Sequence, residues 1–599
     1  MRTTCLILPA LALTSPLAAQ QELADAVRAA ITPDRLEVHT RAIVQHERPS
    51  GSPGENAAID YIVSTLRAAG VPVEVYAFRA FASDPVSARV EVVGSDFAPD
   101  AITMSFSGSA QALEATLVDA GTLRDLPGLE VGTGERLILT GNRRNQGIRN
   151  GADVTGAIVL VEGQPRNVPV AVLAELGAVG IIFMNPEERL NDLIVTSTWG
   201  TPSLRNQHRL PTLPVAQIRK SAGEDLRGRL AEGPVRVRLS VVVSTGWKEQ
   251  RIAVARIPGP TTDAPFVLFG GHIDGWYHGG TDEGASNAAM VELTRAFYQH
   301  RHLLRRGLVV AWWPGHSNGR YAGSTWFADH FFGELRNRGI AYVNIDGVGQ
   351  MGAKRFGAAT TSALAPLASR VVSDQTGATI EPTRPGRNSD QSFNGIGLPL
   401  LQINHSRLSE DGGYWWWHTP DDTFDKVDFD ILKTDTDLYV GALSALLAAP
   451  MLPVDLTSEV AALGDIITQR ERSAQGQFDL QGAKDRQAAL LALAEEIAEK
   501  QAGAARPDLD VAVIRTLRPL YRVLYLPSDP FHPDPGMSLG MLPGLAPMII
   551  LATEDPSSDR YRFAYTTLIR ERNRLIEAID QAIAEAQLLL AALAPKTEQ

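Results

Sequence analysis

The chain has 599 residues, 44% of them apolar and 21% charged, with a formal net charge of -12. This is the composition of ordinary globular domains and excludes disordered and fibrous classes; the length leaves room for about three domains that each bury a core. An acidic chain with no concentrated basic face also excludes nucleic acid as a partner, because binding to phosphates requires clustered positive charge.

Residues 1–19, MRTTCLILPALALTSPLAA, place one arginine before an apolar run and end on small residues, the pattern of a signal peptide cut near Ala19. The run is shorter than the roughly 20 residues a membrane-spanning helix needs, so no span is expected after cleavage. Cys5 is the only cysteine, and the mature chain then carries neither a disulfide nor a thiolate ligand. A secreted or periplasmic protein of bacterial type is expected.

Residues 20–99 show two helical patterns around the turn PSGSPGEN and then an alternating strand. From 100 to 247 the texture changes to short strands with glycine turns: GAIVLVEG, the helical pattern AVLAELG, the buried strand VGIIFMN, then LPTLPVAQI. This predicts an inserted α/β unit. From 248 to 452 the apolar strands PFVLFGGHID, GLVVAWWP, AYVNIDG and LPLLQIN alternate with helical patterns, and each ends in polar residues. The fold class expected is α/β, a mostly parallel mixed sheet flanked by helices, in which ligands gather at the carboxyl ends of the strands. Residues 453–599 read as mostly helical, interrupted by the proline-rich loop PSDPFHPDPGMSLGMLPGLAP. That loop offers either a partner surface or packing onto the sheet domain.

The strand ends collect His272 and Asp274 in GGHID, Asp282 in GGTDEG, Asp346 in VNIDG and His418 in WWWHTPDD. Imidazoles and carboxylates without cysteine are the ligands of a hydrolytic zinc site, and an aspartate can bridge two ions about 3.5 to 4 Å apart. Singly, each such residue is more often a cap or a satisfied histidine; together at consecutive strand ends they point to a metal centre.

The segments GGHIDGWYHGGTD, in which His272 and Asp282 stand ten positions apart, and YWWWHTPDDTFDKVD carry a resemblance to a family. They resemble the co-catalytic zinc aminopeptidases and carboxypeptidases of peptidase family M28, in the branch of glutamate carboxypeptidase II and the transferrin receptor. ERPSGSPGENAAIDYI looks like that family's N-terminal segment, residues 100–247 like its protease-associated (PA) domain, and residues 453–599 like its helical dimerisation domain. The resemblance implies a zinc exopeptidase fold and one or two zinc ions. One would be held by His272, Asp282 and Asp346 and the other by bridging Asp282 and His418, with Asp274 orienting His272. It implies an exported hydrolase that cleaves peptide or amide bonds with a zinc-bound water. The partners implied are a peptide or peptide-like substrate and a homodimer through the C-terminal helices. NSDQSF resembles the segment lining the substrate pocket, which makes Arg387, Asn388 and Asp390 candidate substrate contacts; a guanidinium pairs bidentately with a carboxylate.

The stretch GHSNG, residues 315–319, departs from the family. Where the family has two adjacent glutamates, a general base and a metal ligand, this chain has His316 and Ser317. His316 can serve as a third ligand of the second ion or as the general base, with Glu283 and Glu410 as alternative replacement carboxylates. GHSNG also fits G-x-S-x-G, the nucleophile turn of serine hydrolases, with Asp346 or Asp390 as acid, His418 as base and HGG at 278–280 as an oxyanion loop. That reading leaves His272 and Asp282 without a role. The other alternative, a binding protein of the same fold without catalysis, draws on the missing glutamates.

Overall fold

The computed structural model describes residues 16–131, 137–140, 148–386, 389–406, 414–502, 504–527, 529–532 and 540–594; the side chains at 16–19 and 128–140 lie outside that description. The entry segment forms two capped helices. Thr32 accepts from the Arg35 amide at the start of Pro33–Ile43, and Ser52 accepts from the Glu55 amide at the start of Pro53–Ala68. A side-chain cap followed by proline in the first helical turn is the combination that starts a helix cleanly.

Four parallel strands make the centre of the sheet. Phe266–His272 lies between Gly307–Trp313 and Gly339–Asn344, and Leu400–Ser406 pairs with the latter. The first three are buried along their whole length, as strands covered on both faces must be. Arg355–Thr360 closes one edge antiparallel to Leu400–Ser406, and the long strand Arg236–Ile257 runs antiparallel to Gly307–Trp313 on the other side.

That long strand also joins the domains. Val73–Val92 and Arg236–Ile257 pair from Val73 opposite Ala255 to Val92 opposite Val237, with a register shift between Pro85 and Ser87. Proline has no amide hydrogen to give a ladder, so the irregularity falls there. The ribbon leads into the inserted unit, whose strands Ala110–Thr122, Ile158–Glu162, Gly180–Met184 and Val215–Ile218 continue the same sheet; helices Asn167–Glu175 and Lys220–Glu232 cover it.

The C-terminal helices do not keep a core of their own. Leu463, Leu517 and Leu568 belong to one apolar cluster with Ile43, Phe269 and Tyr439. Arg306, at the start of the Gly307–Trp313 strand, makes a fully buried bidentate pair with Asp510, at 2.5 and 3.0 Å. In the proline-rich loop, Leu542 and Leu545 join the same cluster, as does Met548 just after it, which is packing onto the sheet domain, while Phe531 stays 64% exposed. Among the described residues no helix is long and apolar enough to cross a membrane.

Candidate metal centre

His272 is the last residue of its strand, and Asp346 follows the Gly339–Asn344 strand by two positions. Asp282 sits in the turn Gly280–Gly284 that opens helix Ala285–Gln299, and His418 follows the turn at 414–417. The turn holding Asp282 is packed too closely for a side chain at Gly280, where a Cβ would meet the Thr423 carbonyl oxygen at 2.3 Å.

Two residues fix this turn from outside, and a third holds Asp274. Arg48 is fully buried and donates to the carbonyls of Ile273, His278, Gly279 and Asp282. Asp422 accepts from the Thr281 amide and hydroxyl and from the Asp282 amide, at 2.8 to 2.9 Å. Ser50 donates to Asp274 at 2.7 Å. None of the three was picked from the sequence as a site residue. The quoted segments ERPSGSPGEN and HTPDD contain them, but their partners are backbone groups or a distant carboxylate that no local pattern reveals.

Both histidines are prepared in the same way. His272 Nδ1 lies 2.8 Å from the Asp274 carbonyl and His418 Nδ1 lies 2.6 Å from the Asp192 carbonyl. A carbonyl only accepts, so each Nδ1 carries the proton and each Nε2 presents a lone pair. Burial, reinforced for His272 by His316, lowers the pKa of both below the usual imidazole value, and keeps the rings neutral. Yet His272 Nε2 faces Asp282 Oδ1 at 3.7 Å, and His418 Nε2 faces Asp282 Oδ2 at 3.5 Å. Acceptor facing acceptor is repulsive unless a cation stands between. Ligand atoms 2.0 to 2.2 Å from one ion at tetrahedral angles lie roughly 3.3 to 3.6 Å apart, close to these spacings. The donor set therefore fits a divalent metal.

The other candidates fall differently. Asp274 orients His272 through its backbone carbonyl; its carboxylate, expected to do this, is 3.7 Å from Nδ1 and instead accepts from the amides of His316 and Ser317 at 3.0 and 2.9 Å. His316 stacks on His272 with ring centroids 3.8 Å apart and gives its Nδ1 to Asp390 at 2.8 Å. Burial opposes its charge, but Asp390 outweighs it, with help from Asp274 and Asp346, and the pKa rises to about 9. Two parallel stacked imidazoles cannot both point in-plane at one ion. Asp390, expected at the substrate, is 1% exposed and bound to His316 and Ser324. Ser317 Oγ is buried with no hydrogen-bond partner, so nothing there acts as the base a serine nucleophile needs. His278 and Gly279 turn carbonyls to Arg48, where an oxyanion loop would offer amides. Arg387, Asn388 and Glu410 lie outside the described residues.

A cavity of about 410 Å³ opens over His272, Asp282, His316, Asp346 and His418. Its walls include Arg166 of the inserted unit, Arg320, Tyr414 and Trp417. The aromatic residues just before His418 divide: Trp417 stacks on His418 at 3.7 Å and lines the cavity, whereas Trp416 is buried and donates to Thr281.

Residues 253–441 match the model of peptidase family M28, and residues 120–226 match that of the PA domain. The chain thus carries an M28 peptidase domain with an inserted PA domain. Among curated relatives, the probable glutamate carboxypeptidase VP8 of Zea mays is 24% identical over 51% of this chain and 49% of its own length. The probable lipoprotein aminopeptidase LpqL of Mycobacterium tuberculosis is 26% identical over 46% of this chain and 51% of its own. The chain thus spans about half the length of these relatives. Among solved structures, an aminopeptidase from Aneurinibacillus sp. strain AM-1 superposes with a TM-score of 0.54 at 20% identity, over 71% of this chain and 96% of that one. A zinc aminopeptidase from Bacillus subtilis superposes at 0.52 and 17%, over 69% and 95%. At such identity the M28 likeness is one of fold.

Proposed function

We propose that this M28 protein is an exported, zinc-dependent hydrolase of peptide or amide bonds. The observation that carries the reading is the pair of neutral imidazoles, His272 and His418, whose Nε2 atoms face the two oxygens of Asp282 at the carboxyl ends of parallel strands. His272, Asp282, Asp346 and His418 would hold the metal, which when bound supplies an activated water and polarises the scissile carbonyl. His316 lines the cavity where the resemblance places a glutamate base, and Asp390 fixes its ring, so His316 is the group that holds or moves a proton there. The stacked Trp417 and His418 and the PA-domain Arg166 shape the space a peptide substrate would enter.

Export rests on residues 1–19, where one arginine, an apolar run and closing small residues make the pattern of a signal peptide. Pairing of two copies through the C-terminal helices belongs to the same proposal; Phe563 and Leu588 are 72% and 67% exposed on helix Asp559–Leu593. Light scattering of the purified protein tests it.

The alternative of a non-catalytic M28 scaffold draws on Ser317, a buried hydroxyl at the position of a ligand glutamate. One experiment separates the two. Metal content by elemental mass spectrometry and turnover on a dipeptide panel are measured for the natural chain and His272→Ala. Metal-dependent turnover lost with His272 supports the hydrolase; bound metal without turnover on any peptide supports the scaffold; no metal overturns the centre.

A further inference from the structure

We propose that Glu283 is a metal ligand, forming with His272 and Asp346 a three-donor site for one tightly bound divalent cation. This rests on the metal-dependent reading above but changes its ligand set and its ion count. Among the described residues, His272, Glu283 and Asp346 are the one group of three or more candidate ligands whose donor atoms all lie within 4.8 Å of one another. His272 Nε2, whose lone pair is free, faces Glu283 Oε1 at 3.6 Å, the spacing of two ligands on one ion.

The carboxylate itself asks for a cation. Glu283 is 0% exposed, and neither of its oxygens has a hydrogen-bond partner. A buried carboxylate keeps its charge only against donors or a positive ion, and here the neighbours Asp346 and Asp282 are carboxyl groups as well. Its backbone sits at φ 79°, ψ -6°, a left-handed conformation that glutamate rarely adopts. A glycine or asparagine would hold this turn without strain. Backbone strain kept with a buried, unpartnered carboxyl group marks a functional position.

The second site, by contrast, is poor. Asp282 and His418 face each other, but the position of the ligand glutamate is Ser317, and His316 is bound to Asp390 and stacked away. Two protein ligands hold an ion weakly, whereas three with an open position is the arrangement of catalytic sites.

The test strips the full chain with a chelator and reloads it with Co²⁺ or Zn²⁺ alone. Ions per chain are counted after gel filtration, affinity is measured against a chromophoric chelator, and the cobalt visible spectrum is recorded. The natural chain is expected to keep one ion. Glu283→Gln should weaken binding by at least about tenfold and change the cobalt spectrum, while its stripped form melts no lower than the natural one, because the carboxyl it replaces makes no hydrogen bond. His418→Ala should still keep one ion. If Glu283→Gln binds cobalt with natural affinity and spectrum while His272→Ala does not, the Glu283 assignment is overturned and the metal reading stands. Two tight ions in the natural chain, one of them lost in His418→Ala, overturn the single-ion site. No binding by the natural chain overturns both. If Glu283→Gln does not fold, Glu283→Asn, suited to the left-handed turn, takes its place with the same expected loss.

Discussion

The ring of His418 is held by Asp192, a residue of the inserted domain: the Asp192 carbonyl takes the Nδ1 proton at 2.6 Å, and the Asp192 amide returns a bond to the His418 carbonyl at 3.0 Å. Next to it, Asn191 donates to the Trp417 carbonyl at 2.7 Å and Tyr277 donates to the Asp192 carboxylate at 2.6 Å. His418 needs this support because its own backbone is left-handed, at φ 57°. The PA domain is therefore part of the centre, since it sets the tautomer that leaves Nε2 free to bind.

Asn191→Ala removes the bond to Trp417 and leaves every candidate ligand in place. Because Trp417 stacks on His418, affinity for the weaker second ion at Asp282 and His418 is expected to fall while the ion held by His272, Glu283 and Asp346 stays, both read by competition with a chelator. Unchanged affinity would make the inserted domain a passive neighbour.

Ser317→Ala tests the serine turn. The hydroxyl is buried and makes no hydrogen bond, so replacing it by a methyl removes an uncompensated polar atom. Metal content and turnover should stay the same, and stability should hold or rise by about 1 kcal/mol. A loss of turnover with metal retained would bring the nucleophile reading back.

His316 and Asp390 should behave as a unit. The Nδ1 to carboxylate contact of 2.8 Å fixes the imidazole in the cavity, and Ser324 holds the other carboxylate oxygen at 2.6 Å. His316→Ala is expected to lower kcat by about 10² to 10⁴, the range of a lost acid-base group, with metal content kept. Asp390→Asn should cost part of that, and the double variant little more than His316→Ala alone. Full additivity would show that the two residues act separately.

The parallel sheet and the residues at its strand ends were legible because strands buried on both faces read as apolar runs, and a polar residue closing such a run, like His272 or Asp346, stands out. What holds those residues was not legible. Arg48 acts on backbone carbonyls and Asp192 on the His418 ring, each more than 200 positions away, and no periodicity records such a contact. Glu283 could be weighed as a carboxylate, but its left-handed backbone and unpartnered oxygens exist only once helix Ala285–Gln299 is docked. Asp274 shows the same limit from the other side. Its place beside His272 was plain, yet the backbone, not the carboxylate, makes the bond.

That docked helix also carries a pH-dependent anchor. Glu292 is buried between His39, Arg35 and Arg295, with contacts of 2.6 to 3.0 Å. Burial alone would raise its carboxyl pKa, but the hydrogen bonds from His39, Arg35 and Arg295 outweigh it and hold the group far below the usual carboxylate range. A carboxyl with a depressed folded pKa stabilises the fold fully above its unfolded pKa of about 4.3 and loses that contribution as pH falls below it. Glu292→Gln leaves the buried Arg295 and the half-exposed Arg35 without their partner and should cost about 3 kcal/mol at pH 7. The deficit should shrink by up to about 1.4 kcal/mol per pH unit below about pH 4.3, because the natural chain loses there what the variant never had. Urea unfolding of both proteins at pH 7 and pH 3 measures this; an equal gap at the two pH values would mean that the contacts act through packing and not through charge.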